Sequence, residues 1–136
     1  DPRTVEAEKL MDAGKFDDAV AAYDALLASE PNDPVLIAGR NAAALLGRLD
    51  GKDPAALLAA AQQHPDDVNA QLAAADVELM GGRSADAFNR IIQVVRITHD
   101  EEREAARTRL LDLFAMVGQS EPEVAAARRS LAAALF

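Results

Sequence analysis

The chain alternates amphipathic stretches with turn signals, and this pattern predicts a protein made of helices. The stretches are rich in Ala, Leu, Glu, Asp and Arg, and none shows the alternating β-branched pattern of a strand. Glycine, proline and polar clusters divide the chain into eight segments of about 10 to 16 residues, close to the usual length of a helix. The predicted breaks lie at Gly14, Pro31–Pro34, Gly47–Pro54, His64–Pro65, Gly81–Gly82, Thr98–Asp100 and Gly118–Pro122.

Four of these segments begin with residues that favour the start of a helix. Asp33 and Asp53 each precede a proline, which needs no hydrogen-bond acceptor in the first turn. Ser120 and Thr98 are each followed three residues later by a glutamate, and both are predicted to form a capping box. The last two segments carry apolar stripes, namely Ala106, Leu110, Leu113, Phe114 and Val117, and then Val124, Ala127, Leu131 and Ala134.

Some residues recur along the chain at a spacing of 34 positions or twice that number. Pro31 and Pro65 are 34 apart, and a glycine, an alanine and a larger side chain recur 68 positions later. These residues are Gly14, Ala19 and Tyr23, repeated as Gly82, Ala87 and Ile91. In a helical chain this period indicates stacked hairpins. We predict a single all-α domain, a right-handed superhelical stack of about four hairpins at approximately residues 1–32, 33–65, 66–99 and 100–136.

The composition and charge of the chain argue against several classes of function. The 136 residues include 31 alanines, five aromatic residues and no cysteine, which excludes disulfide, zinc-ribbon and thiol redox chemistry from these residues. The formal net charge is −9, and it repels phosphate backbones and anionic lipid headgroups over ~8 Å. No apolar run approaches the ~18 residues of a membrane span. We therefore expect neither nucleic acid nor a membrane as a partner.

Residue types that serve catalysis are present, but not in catalytic patterns. His64 and His99 fall in separate turns without further metal ligands, and Gly81–Gly82 lacks the strand, lysine and hydroxyl of a phosphate loop. Ser120 is expected to cap a helix, and paired acids at helix starts complement the helix dipole. We predict no enzyme activity, no metal site and no cofactor.

The stretch from Gly14 to Pro31 resembles the second half of a tetratricopeptide repeat (TPR). It has a glycine at the hairpin turn, the small Ala19 where two helices touch, Tyr23 and Leu26 as larger contacts, and a proline that ends the second helix. The resemblance implies that the chain is a stack of TPR-like hairpins.

The C-terminal part of the chain carries a narrower resemblance. Residues 104–114 read EAARTRLLDLF, Gly118 follows, and residues 124–136 read VAAARRSLAAALF. This part is similar to the end of the thioredoxin-like chaperedoxins, the CnoX/YbbN family. The chain resembles the TPR region of that family without its thioredoxin domain, and we expect it to be an excerpt from a longer protein.

The chaperedoxin resemblance implies a cytoplasmic adaptor, or holdase, in the bacterial stress response. Such an adaptor binds unfolded or oxidatively damaged client proteins and hands them to ATP-dependent chaperones, the chaperonin and Hsp70-type chaperones. The sequence leaves two alternatives to the adaptor function. The chain could be a generic TPR scaffold for one defined partner or a regulatory appendage of an upstream enzyme.

Stacked hairpins present a surface lined by the first helix of each pair. If the turn glycines set the register, equivalent positions on that surface hold Glu8, Asn41, Asp76 and Asp112, which predicts an acidic groove. TPR domains that grip the carboxylate tails of cytosolic chaperones resemble this fold but carry Lys, Arg and Asn there, so a carboxylate clamp is not expected. The other interpretation is a solvated inner face with no ligand.

The most specific prediction of a binding site concerns the last helix. The family resemblance implies that it docks to the chaperonin, through Arg128, Arg129, Leu131, Leu135 and Phe136. The alternative is that this helix only covers the stripe of the preceding one. Methionines on the first helices of the hairpins, Met11, Met80 and Met116, are either core residues or part of an adaptable client surface.

Overall fold

The computed structural model describes all residues from Asp1 to Phe136 and consists of helices without any β-strand. A short 3-10 helix at Pro2–Thr4 precedes eight α-helices, which confirms the predicted all-α class and the number of helices. No helix has both the length and the apolar character that a membrane span requires. The helices are α1 (Val5–Asp12), α2 (Phe16–Ser29), α3 (Pro34–Leu49), α4 (Pro54–Gln63), α5 (Val68–Met80), α6 (Ser84–Ile97), α7 (Asp100–Val117) and α8 (Pro122–Leu135).

Aspartates start three of these helices by accepting hydrogen bonds from backbone N–H groups. The carboxylate of Asp33 accepts two such bonds in the first turn of α3, at 2.9 and 3.3 Å, and Asp53 accepts one in α4 at 3.1 Å. The two predicted Asp-Pro starts are therefore confirmed. Asp67 caps α5 in the same way at 3.1 Å.

The capping boxes predicted at Ser120 and Thr98 are wrong. Helix α8 starts one residue later than a Ser120 cap requires, with Glu121 at the cap position and no side-chain hydrogen bond to it. Thr98 is buried at the end of α6, and its hydroxyl donates a hydrogen bond back to the carbonyl of Val94 at 2.6 Å. A buried hydroxyl needs such a partner, so this one serves the preceding helix and not the next.

The residues of the 34-residue pattern occupy equivalent places in two hairpins. Gly14 and Gly82 both have a positive φ, 74° and 79°, in the turns after α1 and α5, where other residues would be strained. Ala19 and Ala87 lie five residues after these glycines, and both are fully buried. The predicted repeat therefore corresponds to a repeated turn and a repeated close contact between helices.

The chain divides into two compact units, Asp1–Asp50 and Gly51–Phe136. The division falls in the irregular turn of the second predicted hairpin, where Gly51 has a positive φ of 73°. The break begins later than predicted, because Gly47 belongs to α3. A Cβ on Gly47 would lie 3.2 Å from the Cβ of Phe16, so this glycine allows α2 and α3 to approach each other.

In the first unit, α2 packs on both α1 and α3. The buried core of this unit includes Ala7, Ala19, Tyr23, Leu36 and Ala43. Arg3 ties the N-terminus to the turn between α2 and α3, because its guanidinium donates hydrogen bonds to the carboxylates of Glu30 and Asp33. The hydrogen bond from Arg3 holds the pKa of the Asp33 carboxyl below its usual value.

In the second unit, α6 is the central helix and packs on α5, α7 and α8. The ring of Phe88 on α6 meets that of Phe114 on α7 edge-on, with centroids 4.9 Å apart, which is a favourable aromatic geometry. Helix α8 packs on α6 and buries Val124, Ala127 and Leu131. The apolar stripes predicted for the last two helices therefore supply much of the core of this unit.

We predict that Gly39→Ala destabilises the chain by about 1–3 kcal/mol, the usual cost of overpacking a core. A Cβ at this position of α3 would lie 2.5 Å from the ring of Tyr23, which is buried against it. Urea denaturation followed by circular dichroism measures the change in the free energy of unfolding. Gly81→Ala is the control, since Gly81 has an ordinary φ of −81° and the nearest atom to its new Cβ, the carbonyl oxygen of Val77, would lie at a normal contact distance of 3.5 Å. Equal stability of the two variants would contradict the importance of the contact at Gly39.

Candidate functional site

An open groove with a volume of about 440 Å³ runs along one side of α6 in the second unit. Most of its lining residues lie on α6 at spacings of three or four, so they share one side of that helix. Helix α5 and the turns at its two ends supply the rest. The lining residues are Pro65, Gln71, Glu78, Arg83, Asp86, Asn89, Arg90, Gln93, Val94 and Ile97.

A network of buried polar groups fixes the floor of this groove. Glu78 on α5 is only 4% exposed, and the Nε of Arg90 on α6 donates a hydrogen bond to its carboxylate at 2.6 Å. A second nitrogen of Arg90 donates to the side-chain oxygen of Gln71 at 2.7 Å. The amide nitrogen of Gln71 in turn donates to the backbone carbonyl of Ala61 at 2.8 Å, at the end of α4. The network therefore joins three helices and leaves no buried side-chain polar atom without a partner.

Arg83 places an exposed cation at the mouth of the groove. It precedes the first residue of α6, and its Nε donates to the carboxylate of Asp86 at 3.0 Å. A second nitrogen lies 3.6 Å from the carboxylate of Glu78. The Arg83 side chain is 57% exposed, so it has donor capacity left for a ligand.

The open side of the groove combines two amides with an apolar end. Asn89 and Gln93 are exposed, and their side chains make no hydrogen bond within the chain. Ile97, one turn after Gln93, is 55% exposed, while Val94 is buried. This side can therefore offer hydrogen bonds and a small apolar contact to a bound molecule.

The four residues predicted to line an acidic groove lie in different surroundings. In the first unit Glu8 is exposed, whereas Asn41 is buried. In the second unit Asp76 is fully buried and accepts a hydrogen bond from Arg109 at 2.9 Å, while Asp112 is partly buried. Asp76 therefore joins α5 to α7 as half of an ion pair and presents no open carboxylate, because burial of an unpaired charge is unfavourable.

Arg128 of the predicted docking helix is engaged within the chain. Its guanidinium lies over the ring of Phe114, 5.0 Å from the centroid, and its Nε donates to the side-chain oxygen of Gln119 at 2.9 Å. These contacts hold α8 to α7 and to the turn that joins them. Arg128 thus has a role in packing that the sequence did not reveal.

The other residues predicted for docking divide between two faces of α8. Leu131 is buried and Leu135 is partly buried, whereas Arg129 and Phe136 are exposed. Arg129 makes no ion pair or hydrogen bond through its side chain. Apart from Pro122 and Arg128, the exposed residues of α8 are alanines and Arg129, and the exposed ring of Phe136 follows the end of the helix.

Sequence reasoning missed the polar network of α5 and α6. One signal was available: Gln71 and Glu78 are seven residues apart in a largely apolar helix, so they lie on the same side of it. Their partner Arg90 lies 12 and 19 positions further along, and no local pattern identifies it. His64 and His99 are exposed, and no group of His, Asp and Glu side chains is arranged to hold a metal.

Comparison with known proteins identifies a repeat family. Residues 47–136 match the family described as Tetratricopeptide repeat, which confirms the predicted TPR character. The chain is 37% identical over all its 136 residues to an uncharacterized protein of Mycobacterium tuberculosis and to one of Mycobacterium bovis. It spans 44% of the length of these relatives, so more than half of each lies outside the match. No solved structure matches the chain at a significant level.

We predict that Arg90→Met destabilises the chain by roughly 3 kcal/mol, because it leaves the buried carboxylate of Glu78 without its main partner. Arg83→Met is the matched control and should cost less than about 1 kcal/mol, since this arginine is largely exposed and lies 3.6 Å from the same carboxylate. Urea denaturation of both variants measures the difference. Similar losses would contradict the assignment of Arg90 as the residue that compensates Glu78.

Proposed function

Because the chain belongs to the tetratricopeptide repeat family, whose fold serves protein–protein interaction, we propose that it is the protein-binding region of a chaperone adaptor. In this role it holds unfolded or oxidatively damaged clients and passes them to ATP-dependent chaperones, the chaperonin and Hsp70-type chaperones. It acts by binding and not by catalysis, without a cofactor. The observation that carries the proposal is the groove along α6, which offers open hydrogen-bonding groups beside an exposed apolar residue.

The length of the relatives is consistent with the chaperedoxin resemblance. More than half of each mycobacterial relative lies outside the region that this chain matches. In those proteins there is room for a further domain, as a chaperedoxin requires for its thioredoxin fold. We propose that the full-length protein has this arrangement, with the present chain as the adaptor half.

Clients are held by reversible burial of exposed apolar side chains, and release is driven by the ATP-dependent partner. The exposed large apolar residues of the second unit are Met80, Ile97 and Phe136, of which Met80 and Ile97 are 52% and 55% exposed and Phe136 is fully exposed. Flexible or terminal side chains of this kind adapt to varied segments. Docking to the chaperonin uses the open face of α8, with Arg129 and Phe136 as its distinctive groups.

A second candidate function is a scaffold for one defined partner. The lining of the α6 groove favours it, because charged and amide side chains outnumber apolar ones there. Charged groups at fixed positions, such as Arg83 and Asp86 at the mouth of the groove, select a ligand by its side chains and therefore favour one partner over many. A single saturable ligand without a broad range of clients would support this candidate over the adaptor.

We predict that the chain suppresses the heat-induced aggregation of citrate synthase when present in several-fold excess, as followed by light scattering. The variant Ile97→Ser should suppress less, because it removes the apolar end of the groove. Val35→Ser is the matched control, since Val35 is a similarly exposed apolar residue on α3, outside the groove. Unchanged aggregation in the presence of the wild-type chain would contradict a holdase function of this region.

We predict that Arg129→Glu reduces capture of the chain by immobilised chaperonin about fivefold or more, as expected for reversal of a charge at a docking surface. The side chain of this residue makes no hydrogen bond or ion pair that the change would break, so circular dichroism should stay the same. Arg107→Glu on α7 is the charge-matched control, since Arg107 pairs only with a neighbouring glutamate on its own helix. Normal capture of a folded Arg129→Glu variant would exclude this residue from docking.

A further inference from the structure

We propose that the groove along α6 binds an extended segment of a partner protein by its backbone, with the side-chain amides of Asn89 and Gln93 as the contact groups. This inference rests on the proposed protein-binding function and specifies where and how the partner is held. It places the site on the second helix of a hairpin, and not on the first-helix surface that the sequence pattern favoured.

The spacing of the two amides matches that of an extended chain. Asn89 and Gln93 are four residues apart on α6, which separates them by about 6 Å along the helix axis. Backbone groups that point to the same side of an extended chain recur every two residues, at about 6.6 Å. The two amides can therefore meet residues i and i+2 of one bound segment.

The hydrogen-bonding capacity of the amides is complementary to a backbone. Each amide offers one oxygen acceptor and two N–H donors, and a residue of an extended chain presents both an N–H and a C=O along its edge. Both side chains are exposed and have no hydrogen bond within the chain. Each can therefore accept from the N–H and donate to the C=O of the same residue without losing an existing contact.

The floor of the groove is fixed before the segment binds. Arg90, which lies between the two amides in the sequence, is held by Glu78 at 2.6 Å and by Gln71 at 2.7 Å. Its long side chain therefore cannot turn outward and compete for the amides or the bound segment. Pre-organisation of this kind lowers the entropy lost on binding.

Ile97, at the apolar end of the groove, continues the four-residue spacing of the two amides along α6. Ile97 lies four residues after Gln93, so it faces residue i+4 of a segment whose residues i and i+2 contact the amides. An apolar side chain at i+4 would cover Ile97, which is 55% exposed. The site thus takes a segment of about five residues, with an apolar residue at one end and little selection at the other positions. This tolerance suits a region that binds varied unfolded clients.

The test uses a fluorescein-labelled octapeptide of alternating threonine and valine, with a lysine at each end for solubility, and the full chain labelled with ¹⁵N. We expect saturable binding by fluorescence anisotropy. In NMR spectra the side-chain amide signals of Asn89 and Gln93 should shift on titration, and that of Gln62 on α4 should not. Shifts confined to other helices, or no saturable binding, would overturn the inference.

Variants separate backbone recognition from other modes of binding. The double substitution Asn89→Ala with Gln93→Ala should weaken binding about tenfold, as expected for the loss of two or more hydrogen bonds. Gln62→Ala, an exposed helical amide outside the groove, is the control and should leave affinity unchanged. N-methylation of the peptide at its valines should weaken its binding to the wild-type chain by a similar factor. The same methylation should weaken binding to the double variant only slightly, because the hydrogen bonds are already missing there. Full affinity of the N-methylated peptide would contradict backbone recognition.

The citrate synthase assay on the same variants distinguishes this inference from the proposed function. Suppression of aggregation without binding of the peptide would leave the adaptor function standing and overturn the groove site. Groove-dependent peptide binding without suppression would support the site and contradict the adaptor function.

Discussion

The second unit depends on how the carboxylate of Glu78 is accommodated between α5 and α6. A buried charge is strongly unfavourable without a partner, and here Arg90 from the neighbouring helix supplies it. The same arginine binds Gln71, whose amide reaches the end of α4. Hydrogen bonds of this kind are directional, so they fix the relative position of α4, α5 and α6 in a way that contacts between alanines cannot.

Small residues complement this constraint by setting the distances between helices. In the first unit, Gly39 and Gly47 on α3 let α2 approach, with Tyr23 and Phe16 occupying the space that their side chains would fill. Burial of Ala19 and Ala87 at equivalent places has the same effect in both units. The low aromatic content of the chain therefore reflects close helix packing, in which few large side chains fit.

Sequence reasoning succeeded where the determining interaction is local. The Asp-Pro starts at Asp33 and Asp53 and the turn at Gly82 depend on residues a few positions apart, and each was predicted. The 34-residue period was predicted because the same local pattern recurs in separate hairpins. Sequence reasoning failed at Thr98, whose hydroxyl binds the carbonyl of Val94 in the preceding helix, and at Ser120, because α8 starts one residue later than that cap requires. Contacts between residues far apart in the sequence could not be predicted either, because no local pattern connects Glu78 with Arg90, or Arg128 with the ring of Phe114. The candidate groove is built from such pairs. The sequence therefore predicts the helices that line the groove but not the polar network that forms its floor.

The arrangement of α6 explains how binding can be reconciled with so little exposed apolar surface. Three sides of this helix pack on α5, α7 and α8, and the fourth carries charged and amide side chains that no other helix covers. Fixing the helix on three sides holds Asn89 and Gln93 at a constant spacing, which a loop could not guarantee. Every polypeptide has the same backbone, whatever its side chains, so amides at this spacing can serve many partners. In the proposed adaptor, breadth of recognition therefore comes from a rigid polar edge together with the reversible burial of exposed apolar residues, of which Ile97 lies at the end of that edge.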